Sequence, residues 1–146
     1  MIRHTATVTL NKPAAEVFKF VGADYFQNHP KWDSRVVNMQ VDTPGLVKVG
    51  TKGHETRKQG GRSMTYAFEV TEFKPNSSIA FKAGSGPAQM TFGYNVKPVG
   101  DKQSQLDIDI NMKFGGIMGL FEPFMAGGIK KEFDHITSEI KRMVEN

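Results

Sequence analysis

The chain has 146 residues, 38% of them hydrophobic and 23% charged, with a formal net charge of +4. A length of this order carries one hydrophobic core, so a single domain over 1–146 is expected, and the composition excludes both a disordered tail and a membrane protein. Cysteine is absent, which removes disulfide frameworks, zinc ribbons, redox pairs and thiol nucleophiles and leaves any catalysis to other groups.

The first element is a strand over His4 to Leu10, where Ala6, Val8 and Leu10 alternate with Thr5, Thr7 and Thr9. The N-terminal stretch holds no uninterrupted apolar run, so neither an export leader nor a spanning segment is expected there, and a cytoplasmic location follows as the expectation. Asn11-Lys12-Pro13 reads as a helix start, with Val17, Phe18 and Val21 on the apolar side and Gly22 as its end. A second short helix over Asp24 to Asn28, capped by Asp24, gives way at His29-Pro30 to an extended or turn conformation.

From Arg35 onward the pattern is strand after strand. Turn chemistry at Thr43-Pro44-Gly45, Gln59-Gly60-Gly61, Lys74-Pro75-Asn76, Gly84 to Pro87 and Val99-Gly100-Asp101 separates them as hairpins. Met64, Tyr66, Phe68 and Val70 share one face of their strand, as do Met90, Phe92, Tyr94 and Val96, and then Leu106, Ile108, Ile110, Met112 and Phe114. Asp107, Asp109, Asn111 and Lys113 take the opposite face of the last strand and read as a solvated row.

After Gly115-Gly116 comes a long helix. Met125, Ile129, Phe133, Ile136, Ile140 and Met143 recur every three or four residues, an arc of about 80° at 100° per residue. One continuous apolar stripe of this kind needs a large apolar partner, and the inner face of the sheet is the one available. A helix beginning near Gly116 would be kinked at Pro123, and Gly127-Gly128 would weaken it by about 1 kcal/mol each relative to alanine. The organisation is therefore α+β: a strand, two short helices, about six further antiparallel strands, and a long C-terminal helix.

This order resembles the START-like superfamily. The residues that carry the resemblance are Pro13-Ala14-Ala15-Glu16-Val17-Phe18-Lys19-Phe20-Val21, Pro30-Lys31-Trp32-Asp33, Val49-Gly50-Thr51, and the run from Tyr66 to Pro75. They are most similar to its polyketide cyclase/dehydrase and lipid-transport branch. The resemblance covers nearly the whole chain and implies a helix-grip fold, a curved sheet of about seven strands wrapped around the C-terminal helix. It also implies an internal, usually apolar cavity between sheet and helix, which members use for lipids, polyketides, aromatic compounds or quinones. Some members are enzymes and many only bind.

The side chains expected to line such a cavity are soft. Met39, Met64, Met90, Met112 and Met125, with Phe68, Phe92, Phe121 and Phe124, tolerate a variable ligand shape, although the same residues would equally fill a solid core. The strand from Thr51 to Gln59 departs from apolar alternation, with Gly53, Glu55 and Arg57 on one parity and Lys52, His54, Thr56 and Lys58 on the other. The resemblance turns Gly53, Glu55 and Arg57 inward, where the glycine opens space and the charged pair can orient a ligand carbonyl or carboxylate. A solvated edge-strand ion pair is the competing reading. Tyr66 and Tyr94 can offer hydroxyls to a ligand or reach backbone and water at a rim. His29 and Trp32 lie near the short helices expected to close one end. Packing is the expectation for Trp32 and exposure for His29.

Three functions stay open. The first is capture of a small hydrophobic or aromatic ligand. The second is a cyclase- or dehydrase-like enzyme, for which Glu55, Arg57 and His29 are the catalytic candidates. The third is a protein-interaction module using the basic surface, whose binding would weaken steeply with salt. Specific nucleic-acid binding and integral membrane association are not expected, and a monomer and a homodimer fit equally. Glu132, His135 and Glu139 have metal-like spacing but occur once, and read as a surface charge row beside Lys131 and Arg142. No dinucleotide loop, phosphate loop or nucleophile elbow is present, so neither a metal nor a cofactor is expected.

Overall fold

Alternation along the chain produces seven antiparallel strands in one sheet. They are β1 (Ile2–Leu10), β2 (Val36–Val41), β3 (Lys52–Gln59), β4 (Arg62–Lys74), β5 (Ser78–Ser85), β6 (Ala88–Gly100) and β7 (Gln103–Phe114), in the spatial order β1-β7-β6-β5-β4-β3-β2. The computed structural model describes residues 1–59, 61–85, 88–116 and 122–146, and the side chains of 59, 85 and 122–126 lie outside that description. Consecutive strands from β2 to β7 are hairpin neighbours, and β1 closes the order by pairing with β7, with Ala6 opposite Ile108 and Val8 opposite Leu106. The register therefore gathers the apolar parity of β1 and of β4 to β7 on one face, as a half-buried antiparallel sheet requires.

Helix α1 (Ala14–Phe18) runs into a π-helical turn over Lys19–Ala23, and α2 (Tyr25–Trp32) follows. Two expectations are corrected here. Helix α2 continues through His29 and Pro30 to Trp32, because a helical path puts Tyr25, His29 and Trp32 on one buried face. The packing of those three rings outweighs the donor that Pro30 removes. Asp24 does not cap α2 with its side chain; its carboxylate is taken by Lys19.

The rings of α2 are the centre of the core. Tyr25 and Trp32 are each 1% exposed, and burying side chains of this size stabilises by about 1.5–3 kcal/mol apiece. Tyr25 packs 4.5 Å from Phe81, and Phe26 stacks at 5.1 Å on Phe68.

The long helix α3 (Glu122–Glu145) lies against the sheet, packed most extensively on β1. Phe133, Ile136 and Ile140 of the expected stripe are buried in the core, with Ile129 and Met143 packed at its margin. Pro123 is the second residue of this helix, a first-turn position where the missing N–H has no partner to lose, so it is not the kink expected within a helix starting near Gly116. At the far end Lys141 donates to the Thr9 carbonyl at 2.8 Å, and Glu145 accepts the Asn11 backbone N–H at 2.8 Å. Among the described residues no helix is long and apolar enough to cross a membrane.

Candidate ligand-binding site

A cavity of about 550 Å³ separates the sheet from α3. Met64 and Tyr66 of β4, Met90, Phe92 and Tyr94 of β6, and Met112 of β7 form its sheet wall; Ile129, Phe133 and Ile136 form its helix wall. Its polar end is built by Tyr25, His29 and Asp33 around α2, by Glu55 and Arg57 of β3, and by Glu132 of α3.

Local geometry explains each polar side chain. In β3 the two-residue period turns Glu55 and Arg57 to the inner face, opposite Tyr66 and Met64 of β4, while Thr56 points outward and meets Thr65 at 3.1 Å. In α2 one helical turn brings His29 and Asp33 together, the latter just past the last residue of the helix.

The charged groups form one connected cluster. Arg57 donates from Nη2 to Asp33 Oδ2 at 2.8 Å and to Glu132 Oε1 at 2.9 Å, and from Nη1 to Glu55 Oε2 at 3.2 Å. Arg35 donates from Nη1 to Glu132 Oε2 at 2.7 Å, and its backbone N–H reaches Asp33 Oδ1 at 3.1 Å. His29 lies between two carboxylates, with Nδ1 3.0 Å from Glu55 Oε1 and Nε2 3.7 Å from Asp33 Oδ2. The Nδ1 contact is an ion-pair approach without hydrogen-bond alignment, so that buried nitrogen has no formed partner.

The electrostatics follow from this arrangement. Burial alone would push the His29 imidazole toward neutrality, but Asp33 and Glu55 beside it outweigh burial and raise its pKa above the ordinary value. Burial alone would raise the two carboxyls; His29 and Arg57 instead hold Asp33 at about 2 and keep Glu55 below its usual range. Glu132 goes the other way, because burial and the neighbouring Asp33 charge prevail over Arg57 and Arg35. Burial pushes both phenols, Tyr25 and Tyr94, well up, so they stay protonated and can donate. The Tyr25 hydroxyl is buried without a hydrogen-bond partner, and so is the indole N–H of Trp32 behind it. Unpaired buried donors of this kind are costly unless something occupies them.

Chemically, the cavity presents a proton-bearing imidazole and a phenol to whatever its apolar walls enclose. Among the described residues no group of three or more metal-ligating side chains is arranged to hold a metal ion.

The structure distributes the sequence-predicted residues unevenly. Glu55, Arg57, Met64, Tyr66, Met90, Phe92, Tyr94 and Met112 line the cavity together with His29. His29 is 4% exposed, so the expectation that it is solvent-facing is corrected: its position on the packed face of α2, stacked 4.7 Å from Tyr25, buries it. The edge-strand reading of Glu55 and Arg57 is corrected too, since α2 and α3 cover them.

Met39 is partly buried against the core, opposite Glu55, and stands outside the lining. Gly53 also stands outside it. A Cβ there would come within 2.1 Å of the Gln40 carbonyl oxygen and 2.5 Å of the Phe68 ring, so the room its missing side chain leaves is already filled. Phe68 borders a second depression of about 720 Å³, lined also by Lys52, Glu69, Lys82 and Lys113, which shares Met90 and Met112 with the cavity. Phe121, and the side chains of Phe124 and Met125, lie outside the described residues.

Sequence reasoning missed Tyr25, Asp33 and Arg35, and read Glu132 as part of a surface row when it turns in to Arg57. Glu139 does pair along that row, with Arg142 at 2.7 Å. Glu132 sits one residue from the Phe133 stripe, a position at the edge of the buried face that could have flagged it.

Comparison with known proteins places this geometry in a wider group. Residues 1–145 match the family model described as "Polyketide cyclase / dehydrase and lipid transport". No curated protein sequence matches the chain. A START superfamily protein from Mycobacterium smegmatis superimposes with a TM-score of 0.80 at 14% identity, over 98% of this chain and 97% of that one. The Zhui aromatase/cyclase from Streptomyces sp. R1128 gives 0.77 at 13% identity, over 98% and 93%. A conserved protein from Geobacillus kaustophilus gives 0.77 at 16% identity, over 98% and 95%. These likenesses establish a shared fold.

Proposed function

The chain belongs to the polyketide cyclase / dehydrase and lipid transport family, and from that premise we propose that it binds a small hydrophobic or aromatic molecule, lipid, polyketide or quinone-like, in the cavity beneath α3. One observation carries the reading: a space of about 550 Å³ with methionine and aromatic walls ends at a buried Tyr25 hydroxyl that has no partner within the protein. Apolar walls supply affinity, and a few convergent polar groups fix orientation. Methionine on three strands lets the walls adapt to the ligand's shape.

Native mass spectrometry of freshly purified protein, followed by organic extraction, tests this directly. An adduct of a few hundred daltons that is lost in a Tyr25→Phe variant supports the reading. A clean apo mass, together with no response to added aromatic ligands in a fluorescence titration, overturns it.

The second reading is a cyclase- or dehydrase-like enzyme, and the placement of His29 against Glu55 and Asp33 favours it. In a dehydration, Glu55 takes the proton from the carbon next to a ligand carbonyl and that electron pair forms the new C=C bond. The His29 imidazolium gives its proton to the departing hydroxyl, which leaves as water. An enzyme loses turnover and keeps binding in Glu55→Gln; a carrier shows no turnover to lose.

A further inference from the structure

We infer that the cavity selects ligands whose buried end is uncharged, and that Glu132 is the residue setting this selectivity; the inference rests on the ligand-binding reading above.

Charge balance and hydrogen-bond commitment at the polar end set this selectivity. Asp33 accepts from the Arg35 backbone at Oδ1 and from Arg57 at Oδ2. Glu55 accepts from Arg57 at Oε2 and meets His29 at Oε1. Glu132 accepts from Arg57 at one oxygen and Arg35 at the other. Five of these six carboxylate oxygens accept a hydrogen bond, the sixth, Glu55 Oε1, lies 3.0 Å from His29 Nδ1, and Arg57 is shared among three carboxylates.

An incoming carboxylate would therefore add a fourth negative charge to three carboxylates that Arg57, Arg35 and the proton-bearing His29 already balance. Lys58 also borders the cavity, but it belongs to the other parity of β3 and is exposed, outside the buried set. An incoming ammonium would add a fourth positive charge to the same balanced set. In either case an ion would give up its hydration without a counter-ion to replace it. The groups left open are the Tyr25 hydroxyl and the unaligned His29 Nδ1, both buried. Single donors of this kind suit a ketone, ether or hydroxyl oxygen.

Glu132 holds the balance because it is the least buried of the three carboxylates, with 19% of its side chain exposed against 11% and 5% for Glu55 and Asp33. Replacing it by glutamine keeps a side chain of the same size, whose one amide oxygen can still accept from an arginine, while removing one negative charge. It leaves Arg57, Arg35 and the proton-bearing His29 facing two carboxylates, and an anion then gains a place.

Three isosteric probes test this by titration near pH 7: 2-acetylnaphthalene, 2-naphthoate and 2-naphthylmethylammonium. The wild-type protein is expected to bind the ketone at least about tenfold more tightly than either ion. In Glu132→Gln the ketone-to-naphthoate ratio is expected to narrow severalfold, and in Arg35→Gln, which shifts the charge the opposite way, to widen. Melting curves for both variants confirm that they are folded. Equal affinity for ketone and naphthoate in the wild type overturns the selectivity. A ratio unmoved by Glu132→Gln overturns the role of that residue. If none of the three probes binds, the ligand-binding reading fails and this inference falls with it.

Discussion

Two polar arrays occupy opposite faces of the same sheet. On the outer face Thr5 donates to Asp109 at 2.7 Å and Thr7 to Asp107 at 2.8 Å, with Asn95 and Gln105 adding to the same carboxylates. On the inner face Asp33, Glu55, Arg57 and Glu132 form the cluster described above. Both arrays use carboxylates and short hydrogen bonds, and strand alternation turns Asp107 and Asp109 outward and Glu55 and Arg57 inward. They differ in what lies over them: solvent on one side, α2 and α3 on the other. Cover, more than residue type, separates a solubilising ladder from a site where proton affinities move.

The largest test of that contrast is Arg57→Met. It leaves Asp33 and Glu55 buried beside a single imidazole, and removing one partner of a buried ion-pair network costs about 3–5 kcal/mol. Urea unfolding should show a loss of this size. A loss under about 1 kcal/mol would mean that the cluster is solvated like the outer ladder.

Gly53→Ala is next. The added Cβ overlaps the Gln40 carbonyl oxygen and the Phe68 ring, so the β2 edge must move away from β3, at a cost of about 1–3 kcal/mol. The expected signature is faster amide exchange in β2 with β6 and β7 still protected. Unchanged exchange would show that the edge accommodates a methyl without moving.

The difference in legibility between the two faces has the same origin. The apolar parity of Tyr66 to Val70 and of Leu106 to Ile110, and the stripe of α3, are repeats with a fixed period, so the sheet, the helix and their contact are readable from the chain. The outer row Asp107 and Asp109 is readable for the same reason. The inner cluster joins residues 29, 33, 55, 57 and 132, which no period connects. Glu55 and Arg57 stand out locally, as charges where a strand should be apolar. Asp33 and Tyr25 reach the polar end of the cavity only because α2 persists through Pro30, against the local preference of the residue before a proline. Gly53 shows the limit from the other side: its inward parity is legible, but the ring of Phe68 that fills the space is a matter of packing.

A smaller effect follows from pH. His29 has a raised pKa in the folded protein, so its contribution to stability is fully present below the unfolded value of about 6.5 and is lost as pH rises through the higher folded value. Asp33 behaves in the opposite sense. Its contribution is present above the unfolded value of 3.8 and is lost as pH falls toward about 2. Between about pH 6 and 9 the unfolding free energy of the wild type, from urea denaturation, should therefore fall more than that of His29→Asn, by about 1.4 kcal/mol for each unit of the shift. Parallel curves would show that the imidazole is not held charged by its neighbours.

The smallest expected effect is on the outer face, and its smallness is the point. Asp107→Asn removes a charge from a carboxylate that already accepts from Thr7 and Gln105, yet the amide oxygen can still accept, and water reaches the row. A change within about 0.5 kcal/mol is expected, as for surface substitutions generally. The same chemical change at the inner face, Asp33→Asn, removes a charge that both Arg57 and His29 face at 5% side-chain exposure, and should cost several times more. If the two substitutions cost the same, the helices over the inner face are not excluding water from it, and the cluster would have no more claim to be a binding site than the ladder outside.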